Sequence, residues 1–538
     1  MSTHADEAAT TRMDCSFLAL VTVLNSFLYL PRLGFYSDDW AFWRVFRFSA
    51  DQSLPGLIQS VFAAEPDTMA RPLQGFLHAA LYQLFGLNPL GYHVSMAAMF
   101  CLGLCALYLA LRRLSDDRFL TVAVVLVYAT LPHYSTDHFW YSSSQITLSM
   151  ALYFASLWCD VRHAGNPVGL YWPTASILCL VCSGMAYEAF LPLFLVNPLL
   201  VALRNGWRWR RFLANPVLIG MVLAFKFATS SRAQFRDMGI KKVLASGVDF
   251  TFGAYGVDLP RVLRTIWDRY WDEAAFATAA ILATIVAWYL FRYTDGLNRN
   301  KTPPPVSQLG VTVLAGFLLT GLSYAYFNDG LGLVTGIGNR VAIAAAAPLS
   351  FSIVAFLGLL SRAVGRANVA RAIFAIAVAL VCGCGCWINQ TIASFWIDAS
   401  EQQHRILSEI KQAIPAPPAR SAILLDGFCP WIGPGIVFET DWDVTGALAL
   451  LYQDASVHGD VLRPRMTITD GGVLNLWEDP SGYTYSFESL FFYDVGKRQA
   501  LRVTDRNSAV RYQLEASRDP RNSCLANEHQ FGAGAKIW

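Results

Sequence analysis

Charge is what this sequence has least of. Asp, Glu, Lys and Arg make up 15% of the 538 residues, where a soluble globular chain carries roughly 25%. Together with a hydrophobic share of 54%, that scarcity argues against a string of ordinary soluble domains and excludes a disordered chain. No sustained repeat runs along it, so solenoids and coiled coils are excluded too. The formal net charge is only +2, which offers nucleic acid no basic surface, and none is expected as a partner. The chain has no P-loop, no His-Glu-x-x-His and no nucleophile elbow; nothing supports ATP-driven transport, zinc peptidase or hydrolase chemistry. The Gly-rich run Gly330 to Gly338 lacks the Lys-Ser/Thr ending.

Apolar runs are plentiful instead. Crossing a bilayer as a helix takes about 20 residues, and eleven candidate segments recur: 16–33, 90–111, 119–132, 143–159, 170–186, 188–203, 212–229, 275–292, 307–327, 341–361 and 371–393. A further apolar stretch, 72–86, is short and reads as an interfacial or re-entrant helix. With the N-terminus in the cytoplasm, every short basic cluster falls on one side. These are Arg112, Arg113 and Arg118; Arg162; Arg204, Arg208, Arg210 and Arg211; Arg292, Arg299 and Lys301; and Arg362, Arg366 and Arg371. Lys and Arg collect in cytoplasmic loops, so the opposite, outer face receives 34–89, 133–142, 230–274, 328–340 and the tail from 394. The first apolar run has no small-residue cleavage site after it and reads as an uncleaved anchor.

These observations predict an α-helical polytopic membrane domain over 1–393 and a small α/β extracytoplasmic domain over 394–538. The tail carries 13 Lys/Arg and 18 Asp/Glu, a net of −5, against +7 for the remainder. In the tail, Glu401 to Ile414 has helical spacing, Pro415 to Pro418 makes a break, and 421–425, 435–438 and 472–476 read as short strands. Nine of the eleven cysteines precede residue 390, mostly as small apolar fillers. Cys382, Cys384 and Cys386 match no common zinc spacing. Cys429 and Cys524 are the only tail cysteines, and pairing between them is open in an oxidising compartment. The outer loops lack a run of glycosylation sequons, and Asn389-Gln390-Thr391 lies inside a span. A bacterial inner membrane is the expected location.

The sharpest local feature is Gly34-Phe35-Tyr36-Ser37-Asp38-Asp39-Trp40, directly after the first span. Adjacent carboxylates at a membrane boundary are costly unless solvated, paired or used. Either Ser37 or Asp38 caps a helix over Asp39–Phe48, or the pair serves as a general base or a metal ligand. Arg71-Pro72-Leu73 and Leu84-Phe85-Gly86 follow in order, then His93.

On those motifs the chain resembles the GT-C superfamily of integral-membrane glycosyltransferases. It is similar to the branch of protein O-mannosyltransferases and aminoarabinose transferases. The likeness covers chiefly residues 16–200 and the general layout. It departs in having Asp-Asp where many members have Asp-Glu. The resemblance implies a polyprenyl-phosphate-linked sugar donor and a lipid, glycan or protein acceptor. It implies inverting transfer on the outer face, with Asp38 or Asp39 as base or metal ligand. A divalent metal is the one cofactor it leaves open.

Such chemistry needs cations where phosphate charge develops, and Arg suits phosphate well. Arg340 begins the tenth span, where the helix N-terminus also favours an anion. Arg261 and Arg264, with Trp267 and Trp271, form an amphipathic helix suited to lipid headgroups or to the donor phosphate. Arg71 is a fourth candidate. His133, Asp137 and His138 in the second outer loop, and Tyr187-Glu188 in a turn between spans, are candidate walls of a substrate cavity. The two histidines and Asp137 are also open to a metal shared with Asp38 or Asp39. Two other functions remain open: a lipid-linked glycan transporter or flippase, and an O-antigen polymerase or ligase working through arginines of 230–274. No internal repeat of transporter type is visible, and polar residues gather at the outer ends of spans.

Overall fold

The computed structural model describes residues 2–115, 117–165, 169–205, 209–230, 239–292, 305–327, 336–364, 366–463, 466–475 and 483–516. Apolar runs with so few charges can satisfy their backbone within lipid only as helices, and each of the eleven predicted segments lies on one. Seven described helices are long and apolar enough to cross a membrane: Ala8–Arg32, Pro89–Leu114, Arg211–Thr229, Glu273–Arg292, Val306–Ala325, Ile337–Arg362 and Asn368–Ala413. Their outward residues are apolar as well; Leu102, Leu213, Met221, Val311 and Leu380 are all exposed. An exposed apolar surface of this kind is suited to lipid, and the chain is an integral membrane protein.

The other four predicted segments are helical but shorter or more polar: Arg118–Thr130, Ser144–Gly165, Tyr171–Ala186 and Leu191–Ala202. The first is about 20 Å long at 1.5 Å per residue. It is buried at every position from Thr121 to Thr130, so other helices surround it rather than lipid. Asp117 caps it, accepting from Leu120 N at 3.1 Å.

Arg118 departs from its expected place among the loop cations. It is buried, and its guanidinium donates to both carboxylate oxygens of Asp14, at 2.5 and 2.8 Å. Tyr108 and Tyr289 donate to the same carboxylate. A buried charge is retained where partners surround it in this way.

Segment 34–89 folds into helices Asp38–Arg47, Leu54–Ala64 and Pro72–Phe85. Gly86, at φ +56°, ends the last of these with a backbone conformation that side chains disfavour. Phe35, Phe42, Trp43, Phe46, Tyr92 and Tyr141 pack between these helices as a separate core.

The predicted domain boundary at 393/394 falls inside one continuous helix, Ala367–Ala413. Its C-terminal part includes the predicted 401–414 helix, and it carries the C-terminal domain directly. Ile406, Ile410 and Ile414 share a core with Ile423, Leu425 and Ile436. The strands are arranged 458–461, 422–426, 490–494 and 499–503, the first three parallel and the last antiparallel. The expected strands appear as Ala422–Asp426, Gly435–Ile436 and Gly472–Asn475. Helix Asp441–Tyr452 lies against helix Asp38–Arg47. A Cβ on Gly446 would stand 2.4 Å from Trp40 O, so only glycine allows the two backbones this close.

Candidate functional site

Four parts of the chain meet at the acidic pair. Tyr36 fixes the first: its hydroxyl donates to Trp396 O at 2.8 Å and accepts from Gly34 N at 3.0 Å. His93 Nε2 donates to Gly34 O at 2.9 Å. Trp140 Nε1, from segment 133–142, donates to Tyr36 O at 3.0 Å. Asn339 joins that segment to the start of Ile337–Arg362. Its Nδ2 donates to Ser135 Oγ at 3.1 Å and its Oδ1 accepts from Thr136 N at 3.2 Å. The guanidinium of Arg340 then lies over the Trp140 ring, 5.1 Å from its centre, a cation–π contact. The tail closes the site: Trp442 Nε1 donates to Ser37 Oγ at 3.5 Å.

The two aspartates are not equivalent. Asp39 is fully buried; its carboxylate accepts from Tyr36 N at 2.9 Å and from Ser142 Oγ. Burial pushes its pKa up to about 8, against the pull of those hydrogen bonds. Asp38 is half-buried at the first turn of the helix. Ser37 occupies the N-cap position but makes no side-chain cap, and its φ is +46°. A non-glycine residue held there costs about 1–3 kcal/mol, so the turn is fixed by its surroundings rather than by local capping.

A residue of the tail completes this group. Glu439 precedes helix Asp441–Tyr452 and is half-buried. Burial and the negative charge of Asp38 push its pKa up to about 7, against the pull of Arg463, Ser37 and Arg340. Arg463 also donates to Glu439 O. Two carboxylates and two guanidiniums thus share one electrostatic neighbourhood.

A second group forms around Glu188. Arg71 grips it with two hydrogen bonds, at 2.6 and 3.2 Å, and Lys226 Nζ donates to it at 3.1 Å. Lys226 also donates to Ala70 O at 3.0 Å. The Arg71 guanidinium lies 4.3 Å from the centre of the Tyr187 ring. Three predicted residues therefore form one unit.

No family model matches the sequence, and no curated protein does. The chain is similar to two crystal structures of ArnT from Cupriavidus metallidurans. One is bound to undecaprenyl phosphate, at 14% identity over 82% of this chain and 84% of that one, with a TM-score of 0.39. The other is the apo state, at 13% identity over 83% and 85%, with a TM-score of 0.41. At those values the functional reading rests on the residues of the site.

The remaining candidates are scattered. His133 Nε2 bonds to Ala254 O at 3.2 Å, and its ring lies on Tyr255. His138 is enclosed by Phe100 and Tyr134. Burial lowers the pKa of both histidines to about 3. Asp137 is fully buried, and burial raises its pKa well above the usual range, against the pull of Ser143 and the charge of Arg340. Ser143 Oγ also donates to Trp140 O at 2.7 Å. These side chains do not converge with Asp39, and among the described residues no three His, Cys, Asp or Glu form a metal-binding group. Arg261 and Arg264 stand on the exposed side of helix Leu259–Arg269, Arg264 beside Asp268 at 3.5 Å. The buried face of that helix, Val262 and Ile266, joins the core around Ile392 and Trp396. Arg232, Arg236 and Cys524 lie outside the described residues.

Sequence reading missed Lys226 and Glu439. A lone Lys near the outer end of an apolar span was a usable signal. Glu439 had none, because only the docking of the tail brings it to Asp38.

Proposed function

We propose that the chain is a GT-C-type glycosyltransferase, moving a sugar from a polyprenyl-phosphate-linked donor to an acceptor hydroxyl at the outer face of a bacterial inner membrane. The observation that carries this reading is the place of Glu439, whose carboxyl feels the charges of both Asp38 and Arg340, where residues 34–40, the start of Ile337–Arg362 and the tail come together. An acidic base and a phosphate-seeking cation are the two groups that inverting transfer from such a donor needs.

Asp38 is the base in this reading. The acceptor oxygen attacks the anomeric carbon, its proton passes to Asp38, and the bond from that carbon to the donor phosphate breaks on the opposite face. The phosphate leaves as an anion facing Arg340. Asp39 serves by position: with both oxygens occupied, it holds the turn that presents Asp38. Arg71 and Lys226, ordered by Glu188, form a second basic group suited to the lipid-linked phosphate. The side chains present do not favour a metal site, and no step here uses one. The neighbour bound to undecaprenyl phosphate is consistent in ligand class with this reading.

The test is transfer of a labelled sugar from a polyprenyl-phosphate donor by the purified protein in lipid. Wild-type transfer, lost in Asp38→Asn and retained in Asp39→Asn, is the expected result. Full transfer by Asp38→Asn would overturn the assignment of the base and favour the polymerase reading built on outer arginines.

A further inference from the structure

One crevice lies outside the groups described so far, in the C-terminal domain. Strand Ala422–Asp426 is flanked by two parallel strands, His458–Val461 and Leu490–Asp494. The chain leaves 422–426, passes through helix Asp441–Tyr452 to reach the flank at 458–461, and arrives later at the other flank. Connections from neighbouring strands therefore diverge at the carboxyl ends of 422–426 and 490–494. In open α/β sheets a ligand crevice forms at that point.

The structure has such a crevice there. A cavity of 450 Å³ opens beyond those two strand ends, within the roughly 300–1,000 Å³ usual for small-molecule sites. Gly427 and Gly496 lie on its sheet side, and Gln402, Arg405 and Glu409 of the long helix form its wall. Gly427 is at φ +73°, and a Cβ on it would stand 2.4 Å from Asp494 Oδ1 and 3.2 Å from Gly496 N. Glycine is thus what keeps the two loops close. Arg498, at φ +54°, reaches from the second loop to Glu409 at 3.0 Å. Two guanidiniums against one carboxylate leave the crevice positive. Arg405 is exposed, and a fork of donors in such a place suits phosphate.

We propose that this crevice binds a small anionic solute of sugar-phosphate size, with its phosphate at Arg405 and Arg498 and its hydroxyls on Gln402 and the loop backbones. The inference rests on sheet topology and the crevice, and stands independently of the transfer reaction.

The test is hydrogen exchange, read by mass spectrometry, on the full-length protein in phosphatidylcholine nanodiscs. The probes are glucose 1-phosphate, inorganic phosphate and glucose, each at millimolar concentration. Glucose 1-phosphate is expected to slow exchange several-fold in segments 427–432 and 495–498. Arg405→Ala should abolish that protection, Arg405→Lys should keep part of it, and Asp38→Asn should leave it intact. No protection by glucose 1-phosphate, or protection unchanged in Arg405→Ala, would overturn the proposal. So would inorganic phosphate protecting equally well, which would reduce the crevice to an ion site. Protection that needs phosphatidylglycerol in the disc and no solute would also overturn it, assigning the crevice to a lipid headgroup.

Discussion

Asp38 and Asp39 carry the same carboxylate one residue apart, and their surroundings separate them. Asp39 is enclosed and hydrogen-bonded on both oxygens, and its pKa is pushed up to about 8; Asp38 remains half-buried near Glu439. A positioned general base contributes roughly 10²–10⁴-fold, so Asp38→Asn should lower kcat by about that factor, measured as sugar transfer. Asp39→Asn should keep most transfer and instead change stability against pH. Because its folded-state pKa lies above the unfolded value of about 3.9, the folded protein holds the extra proton. Its stabilising effect is complete below pH ~4 and is lost as pH rises towards ~8. The wild-type apparent Tm should therefore fall between pH 5 and pH 8, and Asp39→Asn should flatten that fall.

Single elements hold the charged groups in place. Glu188 in its turn is the counter-charge for Arg71, at the start of helix Pro72–Phe85, and for Lys226, near the end of Arg211–Thr229. Removing one partner of such a group leaves charge buried without compensation, at a cost of about 3–5 kcal/mol. Glu188→Gln should lower the apparent Tm, and Glu188→Asp should recover part of the loss. The contact between helices 38–47 and 441–452 depends on Gly446. Gly446→Leu would force the two backbones apart, a change costing about 1–3 kcal/mol. Transfer should fall with it, because Glu439 would leave Asp38, while the amount of protein in the membrane should change little.

At the scale of the whole molecule, the membrane part and the tail are one piece. The 47-residue helix Ala367–Ala413 runs from the bundle into the tail without a linker. Arg32 and Glu401 bridge the junction at 2.9 Å, although an exposed pair of this kind contributes little. The tail supplies Glu439 and Arg463 to the group near Asp38. Truncation after residue 413 should therefore abolish transfer even when the remaining protein inserts normally, with protease protection of the outer loops as the check on insertion.

The sequence alone determined the class of the molecule and the layout of its helices. Scarce charge and long apolar runs leave the backbone no alternative to helices, and those properties are local. Asp38, Asp39, Arg71, Glu188 and Arg340 were also legible, because a polar group beside an apolar run is conspicuous in any chain. The tertiary structure decided which of them act together. It sent Asp39 inward and left Asp38 open, paired Glu188 with Arg71 and an unsuspected Lys226, separated His133 from His138, and brought Glu439 to Asp38 across some 400 residues of chain. Burial and charge pairing depend on neighbours distant in sequence, and periodicity does not record them.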